Sequence, residues 1–240
     1  MKYSIITINY NNRDGLRRTI ESVVNQTCQD FEYIIIDGGS TDGSVEVIKE
    51  YADRIDYWVS EPDKGIYNAM NKGLKICRGE WCLFLNSGDM LSENNVLNKL
   101  NVDSSGKYGV IYTDWYDYSS NKKVLRKPYP FFERTTYLHH KGFCHQASLI
   151  KTTLAKKMGF DENYQIAADY NMFYQLYKQG IEFIYLPIVL SMFEIGIGLS
   201  QRKPKIAFKE DAKILCRYGT IRYYYYYFKR FIYPLFKIKK

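Results

Sequence analysis

Three acidic residues stand where a chain can put a carboxylate to chemical use. "CLFLNSGDML" (residues 82–91) runs an apolar stretch into a glycine turn that carries Asp89. "IIIDGGSTDGS" (34–44) ends a second apolar stretch on Asp37, and "QIAADYNMFYQLYKQG" (165–180) places Asp169 ahead of an amphipathic run. An acid on a short turn beyond a rigid strand can ligate Mg²⁺ or Mn²⁺, which take hard oxygen ligands and keep positions open for phosphate and water. A carboxylate at a strand end can accept the N3–H of a uracil or thymine ring. One at the start of a helix can take the proton of an attacking hydroxyl. Each acid, taken alone, is equally a turn residue, a cap or a first-turn charge favoured by the helix dipole.

The elements that must position these acids decide between the two accounts. Tyr3 to Ile8 reads as a strand, followed by a helix capped by Asn12 with Leu16, Ile20, Val23 and Val24 on one stripe. A strand over residues 32–37 leads to a helix near Val45 and Ile48, and residues 55–59 give a third strand. A helix capped by Asp63 carries Ile66, Ala69, Met70, Gly73 and Leu74, and residues 81–85 give a fourth strand. Near-continuous apolar strands alternating with helices predict an α/β fold, a mostly parallel central sheet flanked by helices. Ligands of such sheets sit outside the carboxyl ends of the strands. Those ends hold Thr7, Asn9 and Asn11; Asp37; the 60–65 segment with Lys64; and Asn86, Ser87, Gly88 and Asp89. Four polar ends converging on one edge make a site. Beyond Ser92 the pattern changes: a hairpin over 108–118 and 122–127 turning at Ser119-Ser120-Asn121, a short strand at 145–150, a helix over 167–180 stopped by Gly180, and two strands broken at Pro187.

Four segments, "SIITINYNN", "IIIDGGSTDGS", "EPDKGIYNAMNKGLKICRGEWCLFLNSGD" and "FDENYQIAADYNMFYQLYKQG", resemble in order and spacing the family 2 glycosyltransferases. These are inverting enzymes of the GT-A fold, a Rossmann-like architecture for nucleotide-diphospho-sugars. The resemblance implies a nucleotide-sugar donor, a divalent cation and one catalytic carboxylate. It assigns Asp169 as general base, Asp89 as metal ligand and Asp37 as reader of the nucleotide base. Thr7, Asn9 and Asn11 would line the base and ribose pocket, Asn86, Ser87 and Gly88 the donor, while His145 and Gln146 face the acceptor. The sequence departs from the family pattern at Gly38, Asn86, Gly88 and Ala168, where acids are common. Asn86 can still bond a ribose hydroxyl or a metal-bound water, and Gly88 removes one charge. Lys64, beside a helix start, suits phosphate or ribose oxygens or is simply solvated.

The implied chemistry is displacement of a nucleoside diphosphate from an anomeric carbon by a hydroxyl. The sugar becomes oxocarbenium-like, and a cation offsets the charge gathering on the leaving group. The expected activity is inverting, metal-dependent transfer from a UDP- or dTDP-type donor to a lipid-linked or saccharide hydroxyl in cell-surface polysaccharide assembly. The alternative is a catalytically degenerate GT-A scaffold or binding protein acting through its tail. A sugar nucleotidyltransferase would need a Gly-rich, Arg-containing loop after the first strand, which is not visible.

Composition bounds the rest. The chain has 240 residues, a quarter of them charged, with a net charge of +8. From residue 201 onward twelve Lys/Arg face only Glu210 and Asp211, so the excess charge sits in the tail. Residues 1–200 read as one GT-A domain, with a nucleotide-sugar half (1–92) and an acceptor half (93–200), and 201–240 as a basic aromatic helical tail. "RYGTIRYYYYYFKRFIYPLFKIKK" (217–240) fits docking on an anionic membrane surface, or packing on the body or on a second subunit of a homodimer, better than nucleic acid. Five scattered cysteines without CxxC pairs read as buried reduced thiols. The absence of a signal peptide or an 18-residue apolar run predicts a cytoplasmic protein, or a peripheral one on the inner face of the cytoplasmic membrane.

Overall fold

Side-chain alternation in the first two strands sets the architecture. In β1 (Tyr3–Asn9) Tyr3 and Ile5 join one apolar cluster, while Ile6 and Ile8 join another on the opposite face. In β2 (Phe31–Asp37) Tyr33 and Ile35 face the first cluster, Ile34 and Ile36 the second. A strand buried on both faces needs helices on both sides. α1 (Arg13–Val24) and α2 (Ser44–Glu50) cover the first face, the latter leading to β3 (Tyr57–Ser60). α3 (Ile66–Ile76) covers the second and is followed by β4 (Trp81–Phe84). The computed structural model describes residues 1–100, 106–120, 122–128, 144–196 and 198–234.

The chain continues through β5 (Met90–Leu91), α4 (Val96–Lys99), β6 (Tyr108–Ser119), β7 (Lys122–Arg126), β8 (Ser148–Lys151) and α5 (Thr152–Met158). α6 (Ala168–Lys178), β9 (Glu182–Glu194), α7 (Leu199–Arg202), α8 (Pro204–Ile214) and α9 (Ile221–Tyr227) complete it. The sheet order is β3-β2-β1-β4-β8-β6-β9-β5, with β7 paired to β6. β1 to β4 are parallel, β8 runs against β4, and β6 with β9 resume the first direction. The second face is closed by Ala155 of α5 and by Met172, Phe173 and Leu176 of α6. This is the mostly parallel, helix-flanked sheet expected from the sequence.

Local details differ from the sequence expectations for identifiable reasons. The stretch around Pro187 is one strand, not two. The register against β6 slips from Thr113↔Leu186 to Asp114↔Val189, so a bulge absorbs Pro187 and Ile188. Proline has no N–H to give a ladder, and a bulge is where a sheet tolerates it. Asn12 sits at the start of α1 but makes no cap bond; its Nδ2 donates to the Ser87 carbonyl at 3.0 Å. Asp63 does not cap α3, which begins after Gly65; instead it meets Lys72 Nζ at 2.5 Å. Gly73 is required by close approach, since a Cβ there would lie 2.5 Å from Ile6 Cγ2. All five cysteines are free, but only Cys77 and Cys82 are buried, and Cys216 is exposed. Asn121 of the hairpin turn, and His139 and His140, lie outside the described residues. Among the described residues no helix is long and apolar enough to cross a membrane.

Candidate active site

Parallel pairing places Asn9, Asp37 and Ser60 side by side at the carboxyl ends of β1, β2 and β3. Their side chains, with Ser40, form one closed network. Asp37 Oδ1 accepts from Asn9 Nδ2 at 2.7 Å and Ser40 Oγ at 2.6 Å; Oδ2 accepts from Ser60 Oγ at 2.6 Å and the Ser40 amide at 2.9 Å. Burial alone would raise the Asp37 pKa, but these donors outweigh it and hold it below the usual carboxylate value. Asp37 is fully buried beneath the rim. Thr7 is equally buried and meets Tyr33 Oη at 3.0 Å.

Above this network opens a cavity of about 1730 Å³, lined among others by Asn9, Asn11, Gly38, Asn86, Ser87, Asp89, His145, Gln146 and Asp169. That exceeds the ~300–1,000 Å³ of a typical small-ligand site, enough for a donor and an acceptor together. Asn11, at φ 48°, reaches the opening by accepting the Thr41 amide at 2.9 Å through Oδ1. Lys64 is exposed at the rim, outside the lining of the cavity.

One wall carries the proton-handling group. The Asp169 side chain projects from the first turn of α6 and is 24% exposed. Its Oδ2 lies 2.8 Å from His145 Nδ1, and its Oδ1 accepts from Tyr67 Oη at 3.2 Å. His145 Nε2 lies 3.4 Å from Asn86 Nδ2. Burial, then the charge of Asp169, push the Tyr67 phenol well above its ordinary value, so it remains a donor. The start of α6 is braced from the tail: Glu210 of α8 accepts the amides of Gln165, Ile166 and Ala167 at 2.9, 2.9 and 3.0 Å.

The 86–89 turn lines the same cavity. Asp89, 4% exposed, is spent on protein donors: Oδ1 accepts the Glu194 amide and Oδ2 the Gln146 Nε2, both at 3.0 Å. Burial pushes its pKa up to about 7. Gln146 is likewise buried, with Oε1 accepting the Cys144 thiol at 3.0 Å, so it braces Asp89 and presents little to an acceptor. Among the described residues no three His, Cys, Asp or Glu side chains meet as a metal cage. Among the described residues that line the cavity, Asn9 Oδ1, Asn86 Oδ1 and Glu194 Oε2 are buried acceptor oxygens with neither a hydrogen-bond partner nor an ion pair, and the last two lie at the 86–89 turn. Hard, unspent oxygens suit a divalent cation that draws its other ligands from phosphate and water.

Sequence reasoning missed Tyr67, Glu194 and Glu210. Tyr67 belongs to no motif and is buried on α3 beside Ala69 and Met70. Glu194 and Glu210 belong to no motif, and only the sheet order and the packing of α8 bring them to the site.

A Rossmann-like sheet with a polar rim, facing a helix-borne carboxylate across a large cavity, defines a GT-A sugar transferase. Comparison with known proteins agrees. The model of glycosyl transferase family 2 matches residues 4–178. The chain is 34% identical over 212 residues to an uncharacterized glycosyltransferase of Mycobacterium tuberculosis, covering 85% of this chain and 79% of the relative. It is 27% identical over 205 residues to a PGL/p-HBAD biosynthesis glycosyltransferase of Mycobacterium bovis, covering 82% and 78%. S. aureus TarS 1-349, solved with UDP-GlcNAc, superposes with a TM-score of 0.70 at 16% identity, over 100% of this chain and 76% of that one. The mannosyltransferase PcManGT of Pyrobaculum calidifontis, solved with GDP-Man and Mn²⁺, gives 0.69 at 16%, over 91% and 65%. The chain therefore belongs to glycosyl transferase family 2, and it is a glycosyltransferase.

Proposed function

We propose that this enzyme is an inverting, metal-dependent transferase that moves a sugar from a UDP- or dTDP-type donor to a hydroxyl of a lipid-linked or saccharide acceptor, in cell-surface polysaccharide assembly. The observation that carries the reading is that Asp169 and the 86–89 turn line one cavity. A sugar between them has a proton acceptor on one side and the phosphate-holding wall on the other. The acceptor oxygen attacks the anomeric carbon from the α6 side, and the bond to the diphosphate breaks on the opposite side. A single displacement inverts the configuration. The hydroxyl proton passes to Asp169, whose orientation is fixed by His145 and Tyr67. A bound divalent cation would offset the negative charge of the leaving diphosphate; Asn86 and Glu194 offer the oxygens for it. Nucleotide-sugar complexes of similar folds support a nucleotide-sugar donor, and of the two the UDP-GlcNAc complex favours the UDP type. A place at the inner face of the cytoplasmic membrane is consistent with the exposed aromatic face of α9 described below.

Asp169→Asn removes the proton acceptor and keeps the shape. Transfer should fall ~100- to 10,000-fold, with nucleotide affinity in calorimetry unchanged. Turnover near wild type would reject the assignment.

A further inference from the structure

Gly88 leaves a gap in its own turn that a distant part of the chain fills. A Cβ at residue 88 would lie 2.3 Å from Glu194 Oε2, so a carboxylate from the last residue of β9 occupies the space a side chain on the turn would take. The Glu194 carboxylate is held from one side by Arg18, whose Nη2 meets Oε1 at 2.7 Å. The Glu194 amide is held from the other by Asp89 Oδ1 at 3.0 Å. The second oxygen, Oε2, is buried and has no hydrogen-bond partner. Asn86 Oδ1, on the same turn as Gly88, is also buried and has no hydrogen-bond partner. Two acceptors cannot satisfy each other, and leaving both orphaned is costly. A divalent cation takes hard oxygens of both kinds.

We propose that Glu194 Oε2 and Asn86 Oδ1 are the protein ligands of the divalent cation, which takes its remaining ligands from a donor diphosphate and water. Asp89 stands behind this pair as a positioning residue, fixing the backbone of Glu194 and not touching the ion. Arg18 keeps the carboxylate turned so that one oxygen faces the turn. The charge that Gly88 cannot supply thus comes from β9, more than a hundred residues further along the chain. This inference rests on reading the cavity as a nucleoside diphosphate site.

The test is calorimetry of UDP, dTDP and GDP on the full chain, with and without Mn²⁺, for wild type and Glu194→Gln. The glutamine keeps the size and removes the charge. Wild type should bind one nucleotide at least ~10-fold tighter with Mn²⁺, and the variant should lose that increment while keeping the metal-free affinity. A variant that retains the full increment, or a wild type with no increment, overturns the metal assignment and leaves the donor site standing. A wild type that binds no nucleotide under either condition overturns the donor-site reading and this inference with it. If Glu194→Gln does not fold, wild type carries the test through Fe²⁺-directed backbone cleavage in the presence of the bound nucleotide. Cuts at both residues 86–89 and 193–195 support the site, and cuts elsewhere or none overturn it.

Discussion

At the scale of single residues, the catalytic carboxylate is held in place by neighbours with different costs of loss. Tyr67 gives Asp169 one neutral hydrogen bond from a phenol that burial keeps protonated. Such a bond contributes about 0.5–1.5 kcal/mol, so Tyr67→Phe should slow kcat by ~2- to 10-fold and leave KM for the donor unchanged. Steady-state kinetics checks this, and an unchanged kcat would mean that His145 alone fixes the carboxylate. His145 bridges Asp169 to Asn86, so it joins the acceptor wall to the donor wall. The sequence marked both His145 and Asp169, yet it gave no sign of their contact, because 24 residues separate them.

At the scale of elements, the ends of β1, β2 and β3 are tied by one buried carboxylate. The folded-state pKa of Asp37 is depressed by its donors, so its contribution to stability is present above the unfolded value of about 4 and is lost as pH falls below it. Urea unfolding of wild type should therefore weaken on acidification, and Asp37→Asn should flatten that dependence. An identical pH profile would show that the network stores no such linkage. The parallel strands themselves were legible, because Ile-rich runs buried on both faces leave a continuous apolar signature. The bulge at Pro187 was not, since a proline in an apolar run reads as a break until its partner strand is known.

At the scale of the whole molecule, one face of the tail is packed and the other is exposed. Phe208 of α8 packs with Tyr223, Tyr227 and Phe231, so one face of the aromatic run serves as a local core. On the other face Ile221, Tyr224, Tyr225 and Phe228 are exposed at helical spacing, with Arg222 and Lys229 beside them. Aromatics with cations at that spacing fit an anionic bilayer. Replacing Tyr224, Tyr225 and Phe228 by Ser should reduce flotation with anionic vesicles, and binding by wild type should weaken with salt; equal flotation would reject the docking face. The tail also reaches the active site. Glu210→Ala would strand three amides before α6 and should cost about 3 kcal/mol in stability while lowering kcat. Chemical denaturation reads the first effect and kinetics the second.

The sequence by itself determined the family, the parallel half of the sheet and the edge where the polar residues gather. Those follow from local periodicity and from residues a few positions apart, which a linear reading can see. Only the tertiary structure decided which neighbours each of these acids meets. Asp37, Asp89 and Asp169 look alike along the chain, but the groups that meet their oxygens come from other strands, helices and loops. Conversely, Glu194 carries no motif, and its carboxylate reaches the 86–89 turn only because the sheet order brings β9 there. What a carboxylate can do depends on its neighbours in space, and sequence separation hides those neighbours.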